Sequence, residues 1–217
     1  MAVIHQTTLK PTKLELLATW LPTRPWYSGG TGGPELAKAG GFRLDDPDGE
    51  VGIEFIVATD LSGPRPTTYL APLTYRGAPL DGADHALVGT MEHGVLGRRW
   101  AYDGCHDPVM VAQLTALLEG RVQAQDQNTS GTPDREVTRS YRGEALTGAN
   151  FVITATDDQD GTVLSMPHGA SLRLHRVLRP SSDAAPAEAL GHIAGAWTAP
   201  DGTRARGLLA VVHDTAR

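Results

Sequence analysis

The densest run of chemistry-bearing side chains is Tyr102, Asp103, Cys105, His106 and Asp107, inside Arg98 to Gly120, RRWAYDGCHDPVMVAQLTALLEG. A thiol beside an imidazole and two carboxylates suggests a nucleophilic or redox centre at Cys105. Nucleophile and base normally come from distant segments, because chain neighbours seldom point at one another. The same spacing therefore also fits structural roles: Asp107 as a helix cap, Asp103 and His106 as turn hydrogen-bonders, and Cys105 as a small buried filler. The eight histidines stand singly, without HxH or HxxxH spacing, so neither a metal nor another cofactor is expected.

A second set is aromatic: Trp20, Trp26, Tyr27, Trp100 and Tyr102. Large aromatics seal helices onto sheets, and their flat faces are also what sugars stack on. Both readings stay open. The second would make Trp26, Tyr27, Arg98, Arg99 and Tyr102, with Asp103 and His106 beside them, a ligand or partner surface. Arg98 and Arg99 alternate across a strand, so at most one of them faces a given site.

These residues need elements to position them. Arg98 to Tyr102 reads as a strand, and the helix after it is the best specified in the chain. Asp107 caps it, Pro108 fills its first turn, Met110, Val111, Leu114, Leu117 and Leu118 share one face, and Gly120 ends it. An earlier helix spans Thr12 to Leu21, with Thr12 and Glu15 at capping-box spacing, a stripe of Leu14, Leu17, Ala18 and Leu21, and Pro22 as its stop. Pro22 to Gly41 is turn-rich and lacks the glycine-lysine order that cradles phosphate. Strands are expected over Gly41 to Asp45, Val51 to Thr59 and Thr67 to Tyr75, joined by DDPDG and DLSGPRP turns. The DDPDG acids lack EF-hand spacing. Asp81 to Gly97 is harder to read: Ala86 to Val88 fits a short strand or the end of a helix and MEHGVLG a loop into Arg98, while Gln123 to Arg135 reads as a polar linker or exposed loop.

From Glu136 onward the pattern is all β. Strands are expected over Glu136 to Tyr141, Phe151 to Thr156, Thr162 to Met166, Ser171 to Val177, His192 to Thr198 and Arg206 to Val212. Ser171 to His213 loosely echoes Gly41 to Tyr75, which raises a decayed internal duplication. The expected fold class is α+β, a curved antiparallel sheet with two or three helices over residues 1–135, with a mostly antiparallel β region over 136–217 packed against it.

The whole chain sets limits. Its 217 residues can bury about 70% of the unfolded surface without a disulfide or metal. A net charge of −6 disfavours binding to phosphate backbones, so nucleic acid is not an expected partner. The N-terminus lacks a signal-peptide pattern and no run is long and apolar enough to span a bilayer. With a single cysteine, Cys105, a cytoplasmic protein is expected. Lys10, Lys13 and Lys38 are its only lysines, a bias that fits GC-rich bacterial coding.

Three segments in fixed order, WLPTRPWY (Trp20 to Tyr27), TTYLAPLTYRGAPL (Thr67 to Leu80) and RRWAYDGCHDPVMVAQLTALLEG, resemble the N-terminal cap region of bacterial maltokinases. QDQNTS (Gln125 to Ser130) is similar to the Gln-Ser-Asn-Thr-Ser turn that leads into the nucleotide lobe of those kinases. The resemblance covers about residues 13 to 130. It implies a curved antiparallel sheet packed with helices, beside a lobe that phosphorylates maltose from ATP in α-glucan synthesis. The cap itself holds none of the phosphoryl-transfer residues, and 217 residues are expected to leave no room for the catalytic lobe. The residues agree: no lysine follows Lys38, and Asp157, Asp158 and Asp160 fall in a hairpin turn rather than a catalytic loop. The family's basic-aromatic signature appears as Arg24-Pro25-Trp26-Tyr27, with a proline inserted. The expectation is a non-catalytic cap-like accessory module, without ATP-dependent kinase activity, that takes a protein partner in glucan, trehalose or maltose metabolism. The alternative is a carbohydrate binder or minor carbohydrate-active enzyme with a pocket between the two sheet regions.

Overall fold

A computed structural model describes residues 8–146, 154–182, 184 and 186–214. In chain order the elements are β1 (Leu9–Lys10), α1 (Lys13–Trp20), β2 (Leu36–Leu44), β3 (Gly52–Asp60), β4 (Thr67–Arg76), β5 (Leu87–His93), β6 (Gly97–Asp103), α2 (Pro108–Glu119) and β7 (Gln125–Asp126). There follow β8 (Thr138–Tyr141), β9 (Ala155–Asp157), β10 (Gly161–Ser165), β11 (Ala170–His175), β12 (Val177–Leu178), β13 (Gly191–Thr198) and β14 (Arg204–Asp214). The fold class is α+β, with two antiparallel sheets and two α-helices.

The first sheet has the strand order β1-β5-β6-β4-β3-β2-β7, with β12 also paired to β4. Bulges at Lys38/Gly40 in β2 and Leu87/Gly89 in β5 interrupt its register, and an extra residue at such points bends a strand and tightens its twist. The second sheet runs β8-β13-β14-β11-β10-β9. Helix α1 covers one face of the first sheet, where Leu16, Leu17 and Trp20 pack with Ile56, Ala58, Tyr69 and Leu73. On the opposite face, Phe42, Phe55, Val57 and Leu70 share one core with Met110, Leu114 and Leu118 of α2 and with Leu172, Ile193, Trp197 and Val212 of the second sheet. The space between the sheets is therefore filled with side chains.

Both helices start as their sequences require. Thr12 accepts from the Glu15 N–H while Glu15 reaches back to the Thr12 N–H. Asp107 accepts from Val109 N–H at 3.0 Å, Pro108 opens α2, and Gly120 closes it at φ 76°, a left-handed conformation that glycine enters without a Cβ penalty. The buried stripe of α1 is Leu16, Leu17, Trp20 and Leu21, rotated from the expected Leu14, Leu17, Ala18 and Leu21. The cause is the tryptophan: Trp20 buries more area than Leu14 and turns its own side of the helix inward.

Pro72 sits inside β4, opposite Phe55. Leu70 N–H donates to Arg176 C=O, so the position two residues on faces the same edge. Strand β12 pairs with Thr68 and Tyr69, whereas β6 pairs from Leu73 onward. The N–H that proline lacks thus falls where β4 changes partner, which is why proline is tolerated in an inner strand.

Three expectations are corrected. Within Asp81 to Gly97, where the sequence reads as a loop over MEHGVLG and a short strand or helix end over Ala86 to Val88, strand β5 runs from Leu87 through His93 and joins β6 as a hairpin. The polar stretch Gln123 to Arg135 is tied down: β7 pairs with β2 at Phe42 and Arg43. The echo of Gly41 to Tyr75 in Ser171 to His213 is not a repeat in topology, because β2-β3-β4 is a meander whereas β14 lies between β11 and β13. Part of the expected strand Phe151 to Thr156 lies outside the described residues, and β9 spans Ala155–Asp157.

Candidate functional site

The carboxylates of the central segment end up at a seam between the sheets. Strand β6 delivers Asp103 to its last position, where one oxygen accepts from Cys105 N–H at 3.2 Å and shapes the turn before α2. Arg176, between β11 and β12, reaches it from the second half of the chain. Its Nη2 donates to both Asp103 oxygens, at 2.8 and 2.6 Å, and contacts Cys105 Sγ at 3.3 Å, while its Nε donates to Thr162 Oγ1 at 2.7 Å. Arg176 is 0% and Asp103 1% exposed. The pair is thus fully withdrawn from water, a situation that is stable only with partners on both sides.

Electrostatics follow from that burial. Desolvation opposes the charge on Arg176, but the Asp103 carboxylate outweighs it and holds its pKa raised. For Cys105 burial pushes the thiol well up, only partly countered by Arg176. A thiolate is the nucleophile in cysteine chemistry, so this environment keeps the sulfur in its unreactive form.

Aromatic rings line the same seam. The Arg176 guanidinium lies 5.2 Å from the ring centre of Trp26 and 5.9 Å from that of Trp20, and the two rings meet edge-on at 5.6 Å. Tyr27 stacks on Tyr69 at 5.7 Å and donates to Asp60 at 2.9 Å. Arg24, next to Pro25, covers Trp20 at 5.2 Å and faces Asp157 of β9 at 3.8 Å. Asp157 in turn accepts from Thr162 Oγ1 at 2.6 Å. Trp26 is 2% exposed, so its ring face is spent on packing.

The remaining singled-out residues lie elsewhere. Tyr102 packs with Ala83 and Ala86 and its hydroxyl accepts from Leu80 N–H at 2.9 Å. Arg98 is exposed at the start of β6, paired with Glu92 at 3.0 Å, while Arg99 is half-buried beside Gly77. Trp26, Arg98 and Tyr102 do not share a cluster. His106 meets His85, Nδ1 to Nε2 at 3.2 Å, with the rings perpendicular. Burial lowers its pKa, Asp103 opposing and His85 adding to the effect. Among the described residues no group of three or more metal-ligating side chains is assembled. Asp107 is held by Arg76 through two bonds of 2.7 Å.

Sequence reading missed Arg176, although a signal was there. Leu172, Leu174, Arg176 and Leu178 alternate and all are buried, so an arginine stood at a core position of the expected strand Ser171 to Val177 and required a buried partner. It also missed Glu54, buried on β3 and held by Lys13, by Tyr75 at 3.0 Å and by Gln127 at 2.7 Å. Gln127 belongs to the QDQNTS turn, which is thereby anchored to the sheet.

The fold and this seam define an α+β module whose buried carboxylates Asp103 and Asp107 are each paired with an arginine, while Arg176 Nη1 is buried without a hydrogen-bond partner. Within it, residues 20–107 match the family model of the maltokinase N-terminal cap domain, as the three quoted segments implied. The match runs from the end of α1 to the cap of α2 and so covers most of the first sheet. No curated protein matches the chain, and no helix among the described residues is long and apolar enough to cross a membrane.

Proposed function

We propose that this chain is a maltokinase-related cap module that acts without catalysis of its own, as an accessory or interaction partner in bacterial α-glucan, trehalose or maltose metabolism in the cytoplasm. The observation that supports it most is how the reactive groups of the family-matching segment are paired. Asp103 is bound to Arg176, Asp107 to Arg76, and the Cys105 thiol is protonated by burial. General acid–base and nucleophilic work need groups left available to a substrate, and here each is spent on structure. The pathway assignment rests on the family match alone.

The test combines two assays on the purified chain. With ATP, magnesium and maltose, no sugar-dependent ADP formation is expected, and turnover above the no-sugar control would overturn the reading. In the second assay the melting temperature is followed against maltose, trehalose and maltooligosaccharides. A saturable rise would favour direct carbohydrate binding instead, since a ligand of the native state stabilises it by mass action.

A further inference from the structure

We propose that the outer edge of the second sheet carries a binding site for a small oxyanion, a phosphate or carboxylate group. The site is a pocket of about 210 Å³ between β8, β13 and the 186–190 segment. Three of its lining side chains are hydrogen-bond donors brought together by strand register. His192 lies directly opposite Ser140 in the β8–β13 ladder, which puts both side chains on one face. Arg142 follows Ser140 by two and is on that face too; its backbone N–H extends the ladder by donating to Leu190 C=O at 2.9 Å. Gly191 completes the wall, because a Cβ there would lie 2.5 Å from Ser140 C=O.

The chemistry selects an anion. Nη2 of Arg142 donates to Ala187 and Ala189 C=O, at 2.6 and 3.1 Å, and this anchors the guanidinium while Nε and Nη1 remain to bind. With Nη2 taken, no two-pronged guanidinium edge is left, and Nε and Nη1 act as single donors; these, an imidazole and a hydroxyl are donors suited to phosphate or carboxylate oxygens. Among the described residues no carboxylate lines the pocket, in a protein whose net charge is −6. Glu188 in the same segment is exposed and outside the lining. The volume equals that of about seven waters and lies below the usual range for larger ligands. Among the described residues no aromatic ring lines it, and a stacking platform for a sugar is not among them.

The test titrates the intact chain with inorganic phosphate, and separately with acetate, at constant ionic strength against sodium chloride. Melting temperature and the backbone amide shifts of 186–192 are followed together. The expected result is a saturable phosphate-dependent or acetate-dependent increment with shifts confined to that segment. His192→Gln and Arg142→Gln should each weaken it on the order of tenfold, the loss of one hydrogen bond to the anion. Arg142→Gln also removes the brace on the loop carbonyls, so the anion-dependent increment is read rather than the absolute melting point. His192→Gln leaves that brace in place. Two results would overturn the site: a response to neither anion beyond the chloride control, or one that both variants retain in full.

Discussion

Strand β6 begins and ends at an ion pair, and the two differ in every physical respect. At its start Arg98 meets Glu92 with side chains 63% and 60% exposed; at its end Asp103 meets Arg176 with 2% and 0%. The first joins neighbouring strands of one hairpin, in water. The second joins two sheets across 73 residues of chain, in a low-dielectric seam. Water and salt screen the exposed pair, whereas the buried one holds two costly charges that each survive only through the other. Only the buried end can therefore fix how the two halves of the molecule sit together.

The sharpest way to break that contrast is Arg176→Met, which strands the Asp103 carboxylate. We expect a loss of about 3–5 kcal/mol by urea unfolding, and a loss under about 1 kcal/mol would remove the pair from its central place. Asp103→Leu combined with Arg176→Met should cost far less than the two single changes added together, because no unpaired charge remains. Asp107→Ala comes next, at about 2 kcal/mol, since it removes a helix cap and the partner of Arg76.

Acid sharpens the same point. Burial pushes the Asp107 carboxyl up, but its bonds from Arg76 and the Val109 N–H outweigh that and leave it lowered. Its folded pKa thus lies below the unfolded value near 4, so its stabilisation is present above that pH and lost as pH falls through the folded value. Urea midpoints at neutral pH and near pH 3 should fall further for wild type than for Asp107→Asn. Gly120→Ala, forced into φ 76°, should cost about 1 kcal/mol. Arg98→Ala is the smallest, within about 0.5 kcal/mol.

The same contrast shows what could be read in advance. Helix α2 was legible from cap to terminus, because Asp107, Pro108 and Gly120 each have a local reason that no tertiary contact overrides. The long strands β3, β4, β13 and β14 were legible from their apolar runs. Strand β5 was not: LVGTMEH mixes a glycine bulge with polar residues, and its pairing comes from β6. Nor was the fate of the aromatics, since a Trp face that stacks on sugar and one that stacks on Arg176 look alike in sequence. Asp103 and Cys105 drew attention as chemistry, whereas their partner Arg176 sits between two strands far along the chain, and only folding joins them.

Strand β12 has a practical corollary. It leaves the second sheet's run to fill the half of the β4 edge that β6 does not reach, with Leu70 N–H satisfied by Arg176 C=O. Cutting the chain after residue 135 would strip that cover and lay bare a row of unpaired backbone groups beside apolar side chains, an invitation to strand-to-strand self-association. Anyone wishing to isolate the family-matching part must carry Val177 and Leu178 along with it.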